Sequence, residues 1–467
     1  MKINKLYTAI ALIGSLILTS CKEMLEVSPD HYLGKEEAYT IPEAQLNGIY
    51  YGMIVNNYYG RNFYQKFAVG SDNIVKRRGS SWANIHNMDK GSGEADMIYT
   101  QAYDVLVNIH HLLANEQASD EEKGQAYFMR AFVYFDLVRT FGQVPLVTEV
   151  LPYDAKPSNT DNSELDIYGQ VEKDLDEALK LISNTTDKSK ASVDAIHALR
   201  TRVFLYKADE YLTGEDQREY YQKVVDEAEL INGTLTEAKD YFKYFQENGG
   251  EETILEFLMV QGQGGNDTDD HLGSRYSPNK NSDDFVRGQG YWTANPAWVS
   301  SWHQDDVRRS IVDSTLVSNE PGSFFIIKFT ETDGEPFLHS PKVLRYAEVL
   351  LNKAEALYKL ERTGEAALEI DKLRAERYLP SDSAPKAVGD IDEILEERRK
   401  ELAFEGHRIF DLRRNRREMV LVEAEDEKKN AEIKVRKTVP AGDKNFWWPL
   451  AEAWTSRNPN LINTKGY

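Results

Sequence analysis

The chain has 467 residues, 28% of them charged and 41% hydrophobic, with a formal net charge of −21 and one cysteine. That acidic balance argues against nucleic acid or anionic lipid as a partner, and a lone cysteine leaves no disulfide framework. A chain of this length can bury a large core without covalent staples.

At the start, Lys2 and Lys5 precede an apolar run from Ala9 to Leu18, broken only by Gly14 and Ser15. The run is shorter than the ~20 residues a spanning helix needs and has the length and flanks of a signal-peptide core. It ends in Leu18-Thr19-Ser20-Cys21, which resembles a bacterial lipobox. Small residues suit the cleavage pocket, and the thiol is the nucleophile that takes the lipid. Residues 1–20 are therefore expected to be a lipoprotein signal peptide, with Cys21 the lipidated first residue of a mature chain. Several acyl chains hold a protein stably at a membrane where one does not. No second long apolar run follows, so no spanning segment is expected.

Residues 22–40 read as an extended lead. Helical periodicity begins near Glu43, with Leu46, Ile49, Tyr50 and Met53 on one face. Segment 60–95, with Gly60, Gly70, Gly79, Gly91 and Gly93, reads as mostly loop. Helices are predicted near 95–115 and over 121–141. The second carries Phe128, Ala131, Phe132, Phe135 and Val138 on one face and Tyr127, Val133, Tyr134 and Leu137 on much of the rest. A helix apolar nearly all round belongs in a core, and Gly142 is placed to cap it. Further helices fit 164–183, 192–212 and 217–232.

Segment 233–340 changes character. Gly249-Gly250, Gly262, Gly264-Gly265, Gly273, Gly288 and Gly290 interrupt it, and it is too long for one loop. It reads as a subdomain of turns, short helices and short strands, with strands near 254–259 and 324–329. Helical pattern returns over 341–360, 363–377 and 390–414, and a turn-rich aromatic tail covers 437–467. Helices 341–360 and 363–377 resemble a tetratricopeptide unit, with Ala354, Ala366 and Ile370 at packing positions of that ~34-residue repeat. Ala208, Tyr211, Val224 and Ala228 give a weaker copy. The expected architecture is mostly α: one domain over 21–467, with a tetratricopeptide-like scaffold at about 40–232 and 341–415 and a loop-rich insert at about 233–340.

Motifs for catalysis are lacking. There is no HExxH and no GxSxG, and His110-His111 are adjacent, so they face different sides of a helix. Glu401 and Glu405 lie one turn apart beside Arg398, Arg399, Arg408, Arg413 and Arg414. They fit either a general acid/base pair or an ion-pair network, and arginines that lower carboxyl pKa values favour the network. Asn266 to Asp270 could offer oxygens to calcium but lacks the glycine and distal glutamate of an EF-hand loop. No catalytic residue, metal or cofactor is expected. The aromatic residues in loop-like sequence are more informative. Trp82 with Asn84, and Arg287 through Tyr291 and Trp292 to Asn295, set flat rings beside amide and guanidinium groups. Such rings cover the apolar face of a pyranose while the polar groups meet its hydroxyls; each ring could equally plug a small core beneath its loop. Trp298 and Trp302, one helical turn apart, read as packing residues, as do Trp447 and Trp448.

Three stretches carry a family resemblance. Gly124 to Arg139, running on to Phe141-Gly142 and Val144-Pro145-Leu146, is the first; Arg345 to Ala356 is the second; Glu397 to Arg408, continuing to Arg414, is the third. Together with Trp448-Pro449-Leu450, Asn458-Pro459-Asn460-Leu461 and the terminal Gly466-Tyr467, they resemble SusD/RagB-type outer-membrane lipoproteins across essentially the whole mature chain. The resemblance implies a helical scaffold lipid-anchored at the extracellular face of the outer membrane. It implies a protein that binds an oligosaccharide without cleaving it and delivers it to a SusC-like TonB-dependent β-barrel transporter. An oligopeptide ligand, as in the RagB branch, is the alternative; a helical glycoside hydrolase with an acidic pair and a purely structural adaptor are the others. Binding residues in this family come from variable loops, which points to Trp82, Asn84, Arg287, Tyr291, Trp292 and Asn295.

Overall fold

The computed structural model describes residues 40–76, 93–183, 185–259, 271–278, 288–316, 322–426 and 429–467. The expected signal peptide and Cys21, and likewise Trp82, Asn84, Arg287 and the run Asn266 to Asp270, lie outside the described residues.

Among the described residues the fold is mostly α: fifteen α-helices and ten short strands, the strands paired into five two-stranded antiparallel sheets. Helix α1 (Pro42–Ile54) buries Leu46, Ile49 and Met53. Part of the segment expected as loop forms helix α2 (Asn62–Val69) and strand β1 (Ile74–Lys76). Phe63, Tyr64, Phe67 and Ala68 share one face of α2, but the helix is only eight residues long and buries Gln65 and Lys66 as well. Aromatic packing holds it: Phe63 stacks on Tyr59 at 4.6 Å and Phe67 on Trp448 at 4.8 Å.

Helix α3 (Gly93–Leu113) leads to α4 (Asp120–Phe141), which opens with a capping box between Ser119 and Glu122. From Gly124 on it is buried on nearly every side, as its composition predicts, and its buried charged residues are paired internally. Arg130 bonds Asp174 at 2.6 and 2.8 Å, while Asp136 accepts both the Tyr58 and Tyr59 hydroxyls at 2.8 Å and pairs with Arg139. Gly142 ends the helix at φ 74°, a backbone region open to glycine. Helices α5 (Glu164–Leu181), α6 (Val193–Tyr211) and α7 (Gly214–Glu229) continue an array in which each packs on the one before.

Next come α8 (Tyr241–Tyr244), β2 (Thr253–Glu256), α9 (Leu272–Tyr276), β3 (Trp292–Ala294) and α10 (Pro296–Ser300). Four two-residue strands follow: β4 (Val312–Asp313), β5 (Phe325–Ile326), β6 (Glu331–Thr332) and β7 (Glu335–Pro336). Strand β8 (Lys342–Arg345) pairs with β2, so the helix expected from 341 starts later, as α11 (Tyr346–Lys359). All four β8 residues are buried, and its two cations enter ion pairs that a helical start would misdirect. Helix α11 packs on α6 and α7 and then on α12 (Thr363–Ala375), with Ala354, Ala366 and Ile370 buried at the expected close contacts.

The helix expected over 390–414 is two, α13 (Ile391–Glu401) and α14 (Arg408–Arg414). Between them Phe404 and Gly406 sit at φ 68° and 84°. A side chain at Gly406 would come within 3.2 Å of Phe67, so the break lets the chain close against α2. Strands β9 (Met419–Asp426) and β10 (Lys429–Val439) form a hairpin, and α15 (Glu452–Arg457) lies in the tail. Trp298 and Trp302 meet edge-on at 4.9 Å, both buried, and Trp448 is buried as well. Among the described residues, no helix is long and apolar enough to cross a membrane.

Candidate ligand-binding site

Strands β1 and β3 pair antiparallel in the register Ile74↔Ala294, Val75↔Thr293, Lys76↔Trp292. The last residue of β1 thus faces the first residue of β3. The chain leaves this end of the ladder toward Trp82 and Asn84 and returns to it from Arg287, so the two loop segments singled out in the sequence are rooted side by side.

Three of the six expected ligand residues are described, and they differ. Tyr291 is half-buried; its backbone N–H donates to the Arg275 carbonyl at 3.2 Å, and the Arg275 guanidinium lies 5.6 Å from its ring centre. Arg275 is oriented by a 2.8 Å bond to the Gln289 side chain. Trp292 is only 1% exposed, so its ring is not an open platform. It meets Tyr276 edge-on at 6.3 Å and Tyr291 at 5.5 Å, a packing residue under the loop as the second reading of these rings allowed. Asn295 caps α10: its Oδ1 accepts from the N–H groups of Ala297 and Trp298, and its Nδ2 donates to the Asp72 carbonyl at 3.0 Å. Its amide is committed to the scaffold and orients no ligand.

Asp72 ties this end to the helices. Its carboxylate takes Arg408 at 2.9 and 3.0 Å and Arg399 at 3.3 Å, and Arg399 also donates to Asn73 at 2.7 Å. Burial would push the Asp72 carboxyl up, but the two guanidiniums hold it below the usual carboxylate range. The turn that launches β1 is therefore pinned by arginines of α13 and α14. Sequence reading missed Arg275 and Tyr276, whose role rests on long-range packing with no local signal.

Two family matches cover the two ends of the chain. Residues 23–205 match a family described as starch-binding and associating with the outer membrane, and residues 323–467 match the SusD family. The chain belongs to the SusD/RagB family. It is 25% identical to a SusD-like protein of Formosa agariphila across 88% of this chain and 90% of that one. A SusD superfamily protein of Bacteroides vulgatus superposes with a TM-score of 0.77 at 21% identity, over 92% of this chain and 99% of the other. A SusD-like carbohydrate-binding protein of the same species gives 0.69 at 19% identity, over 90% and 96%. At these identities the two superpositions establish the fold.

In this SusD-family chain the acidic pair, Glu401 at the end of α13 and Glu405 in the break before α14, is a network. Glu401 is fully buried and accepts from Arg345 at 3.0 Å and Arg377 at 2.9 Å, with Arg308 at 3.5 Å. Glu405 pairs with Arg345 and with Lys328 at 2.6 Å. Burial opposes ionisation of Glu401, but Arg377, Arg345 and Arg308 outweigh it and hold the carboxyl far below the usual range. A general acid needs a raised pKa and access to substrate, and Glu401 has neither. The second signature contributes Arg345, Glu348 and Glu355, and the third Glu397, Arg398, Glu401 and Glu405, all turned inward.

Proposed function

We propose that this protein captures a glycan at the outer-membrane surface and passes it, uncleaved, to a TonB-dependent β-barrel transporter, held beside that barrel by lipid on Cys21. Membership of a family described as starch-binding and outer-membrane-associated carries the reading. The Bacteroides vulgatus relative described as carbohydrate binding agrees with it. The ligand site lies at the end of the β1–β3 ladder that carries Tyr291, where the chain continues in sequence toward Trp82 and Asn84 and returns from Arg287. Tyr291, with the Arg275 guanidinium beside it, supplies a ring and a donor to one sugar unit. Trp292 and Asn295 support the loop from beneath. The rigid ladder sets the spacing of the two loops, so specificity follows from loop sequence on a fixed root.

Binding alone is the whole chemistry on this reading. The acidic pair that would serve a hydrolase is locked among arginines. The test is calorimetric titration of the full chain with a panel of starch-type and other oligosaccharides and with oligopeptides. Binding of one glycan class, lost in Trp82→Ala and Tyr291→Ala, is the expected result. Normal binding by both variants would exclude this site, peptide binding alone would favour the oligopeptide alternative, and product formation would overturn the non-enzymatic reading. Co-purification of a β-barrel with the tagged chain, abolished by Cys21→Ala, tests the partner and the anchor.

A further inference from the structure

A second cavity, of about 690 Å³, opens between the ends of α4, α6 and α14 and the C-terminal tail. That volume falls in the range of small-molecule sites. It is built from elements other than the β1–β3 ladder and its loops. Phe141, Tyr211, Trp447 and Ile462 supply its apolar wall. Trp447 is fixed by the Arg413 guanidinium, stacked 3.6 Å from the ring centre. Gly142 keeps the space open, because a side chain there would grow to within 3.6 Å of Glu164 and 3.7 Å of Trp447.

The charges divide into two sets. Arg413 is matched by Glu210 at 2.6 Å and Arg414 by Asp209 at 2.7 Å, so these four form a neutral wall. Arg416 and Lys465 are exposed at the cavity, and among the described residues neither side chain carries a hydrogen bond or ion pair. Two uncommitted cations face the single uncommitted carboxylate of Glu164, in a chain that is strongly acidic elsewhere.

Arg416 also occupies an unusual backbone position. Helix α14 ends in a Schellman motif, with the Arg416 N–H on the Arg413 carbonyl at 3.0 Å and the Arg417 N–H on Leu412 at 2.8 Å. The residue after the cap takes φ 51°, where glycine is the default and a side chain is strained. The strained position directs a long cationic side chain to the cavity, which glycine would not supply.

We propose that this cavity is a second binding site, for a carboxylate-bearing saccharide of one or two rings. The aromatic wall covers the apolar face of the sugar ring, and Arg416 and Lys465 take the carboxylate. Glu164 accepts from a ring hydroxyl. The site stands independently of the glycan mouth at Tyr291.

The test is titration of the full chain in detergent with D-glucuronate, a galacturonate disaccharide, D-glucose and benzoate, by calorimetry at two salt concentrations. The sugar acids are expected to bind at least tenfold more tightly than glucose and more tightly than benzoate, and more weakly as salt rises. Arg416→Gly combined with Lys465→Ala is expected to lower glucuronate affinity at least tenfold. Arg416→Gly alone should raise the thermal midpoint, because it relieves the strained φ, which separates lost binding from lost folding. Glucuronate binding no tighter than glucose, benzoate binding more tightly than the sugar acids, or unchanged affinity in the double variant would each overturn the proposal.

Discussion

Replacing Glu401 by glutamine removes one charge from the centre of the molecule and changes almost nothing in shape. Around it lie the cations Arg308, Arg345, Arg374, Arg377 and Lys328 and the carboxylates Asp306, Glu252, Glu393, Glu397, Glu401 and Glu405. The variant takes away the one carboxylate that Arg308, Arg345 and Arg377 share. Arg308, Arg345 and Arg377 are fully buried, so water cannot compensate the loss. Breaking a buried pair by removing one partner costs about 3–5 kcal/mol, whereas replacing the whole set by apolar residues can be neutral. Glu401→Gln is therefore expected to lose about 3–5 kcal/mol in urea unfolding followed by circular dichroism. The surface pair Lys180–Glu177 is the control, and Lys180→Ala should leave the midpoint unchanged. The pH dependence has a definite sign. Because the folded-state carboxyl of Glu401 is depressed, its contribution is fully present above the unfolded glutamate pKa of about 4.3 and is lost as pH falls below it. The variant should show a shallower acid limb. A loss under about 1 kcal/mol, or an unchanged acid limb, would refute the view that this network holds the scaffold together.

Four further outcomes follow from the same geometry. Burial would raise the Glu355 carboxyl, but Arg414 and Arg398 hold it at about 2, so it should add to the acid limb between the ordinary glutamate value of 4.5 and 2, and Glu355→Gln should flatten that interval in a pH-dependent urea series. Burial lowers His110 from 6.5 to about 4, so the fold disfavours its protonation. Stability should fall as pH drops from 6.5 toward 4, and His110→Met should remove part of that slope. Gly233→Ala would drive a Cβ to 2.2 Å from the rigid ring of Tyr346, an overpacking expected to cost about 1–3 kcal/mol by thermal unfolding. Asp72→Asn should weaken glycan binding in titration without touching the ligand, because it loosens the Arg399–Arg408 clamp at the root of the Trp82 loop.

The scaffold was legible in the sequence because helix signals are local. Ser119 and Glu122 cap α4, Gly142 ends it, and small residues recur where α11 and α12 touch. What was missed depends on partners distant in sequence. Helix α2 is eight residues long, too short for its period to stand out among glycines, and Phe410 and Trp448 pack on its Phe67 from the far end of the chain. Strand β8 reads as helix until β2, some ninety residues earlier, is brought alongside to pair with it. The division within the Tyr291–Trp292 pair has a simple physical origin. Successive strand residues point to opposite faces, so of two adjacent aromatic rings at a strand end one faces the core and the other the loop side. Sequence identifies such a pair without saying which ring is which. Burial decides it: Trp292 is enclosed and Tyr291 only half-buried.

That division shapes how specificity can change in this fold. The arginines of α13 and α14 fix the turn before β1, β1 fixes the register of β3, and β3 fixes which ring of the pair is buried. Each link is a buried contact, so substitution there costs stability before it alters a ligand. If the proposed site is right, exchanging segments 77–92 and 279–291 together for those of another family member transfers glycan preference while leaving the urea midpoint within about 1 kcal/mol of the parent. Exchange of one segment alone should weaken binding to both glycans, since the proposed site draws on both. If either segment alone carried the whole preference, the shared-root geometry would not be what sets specificity.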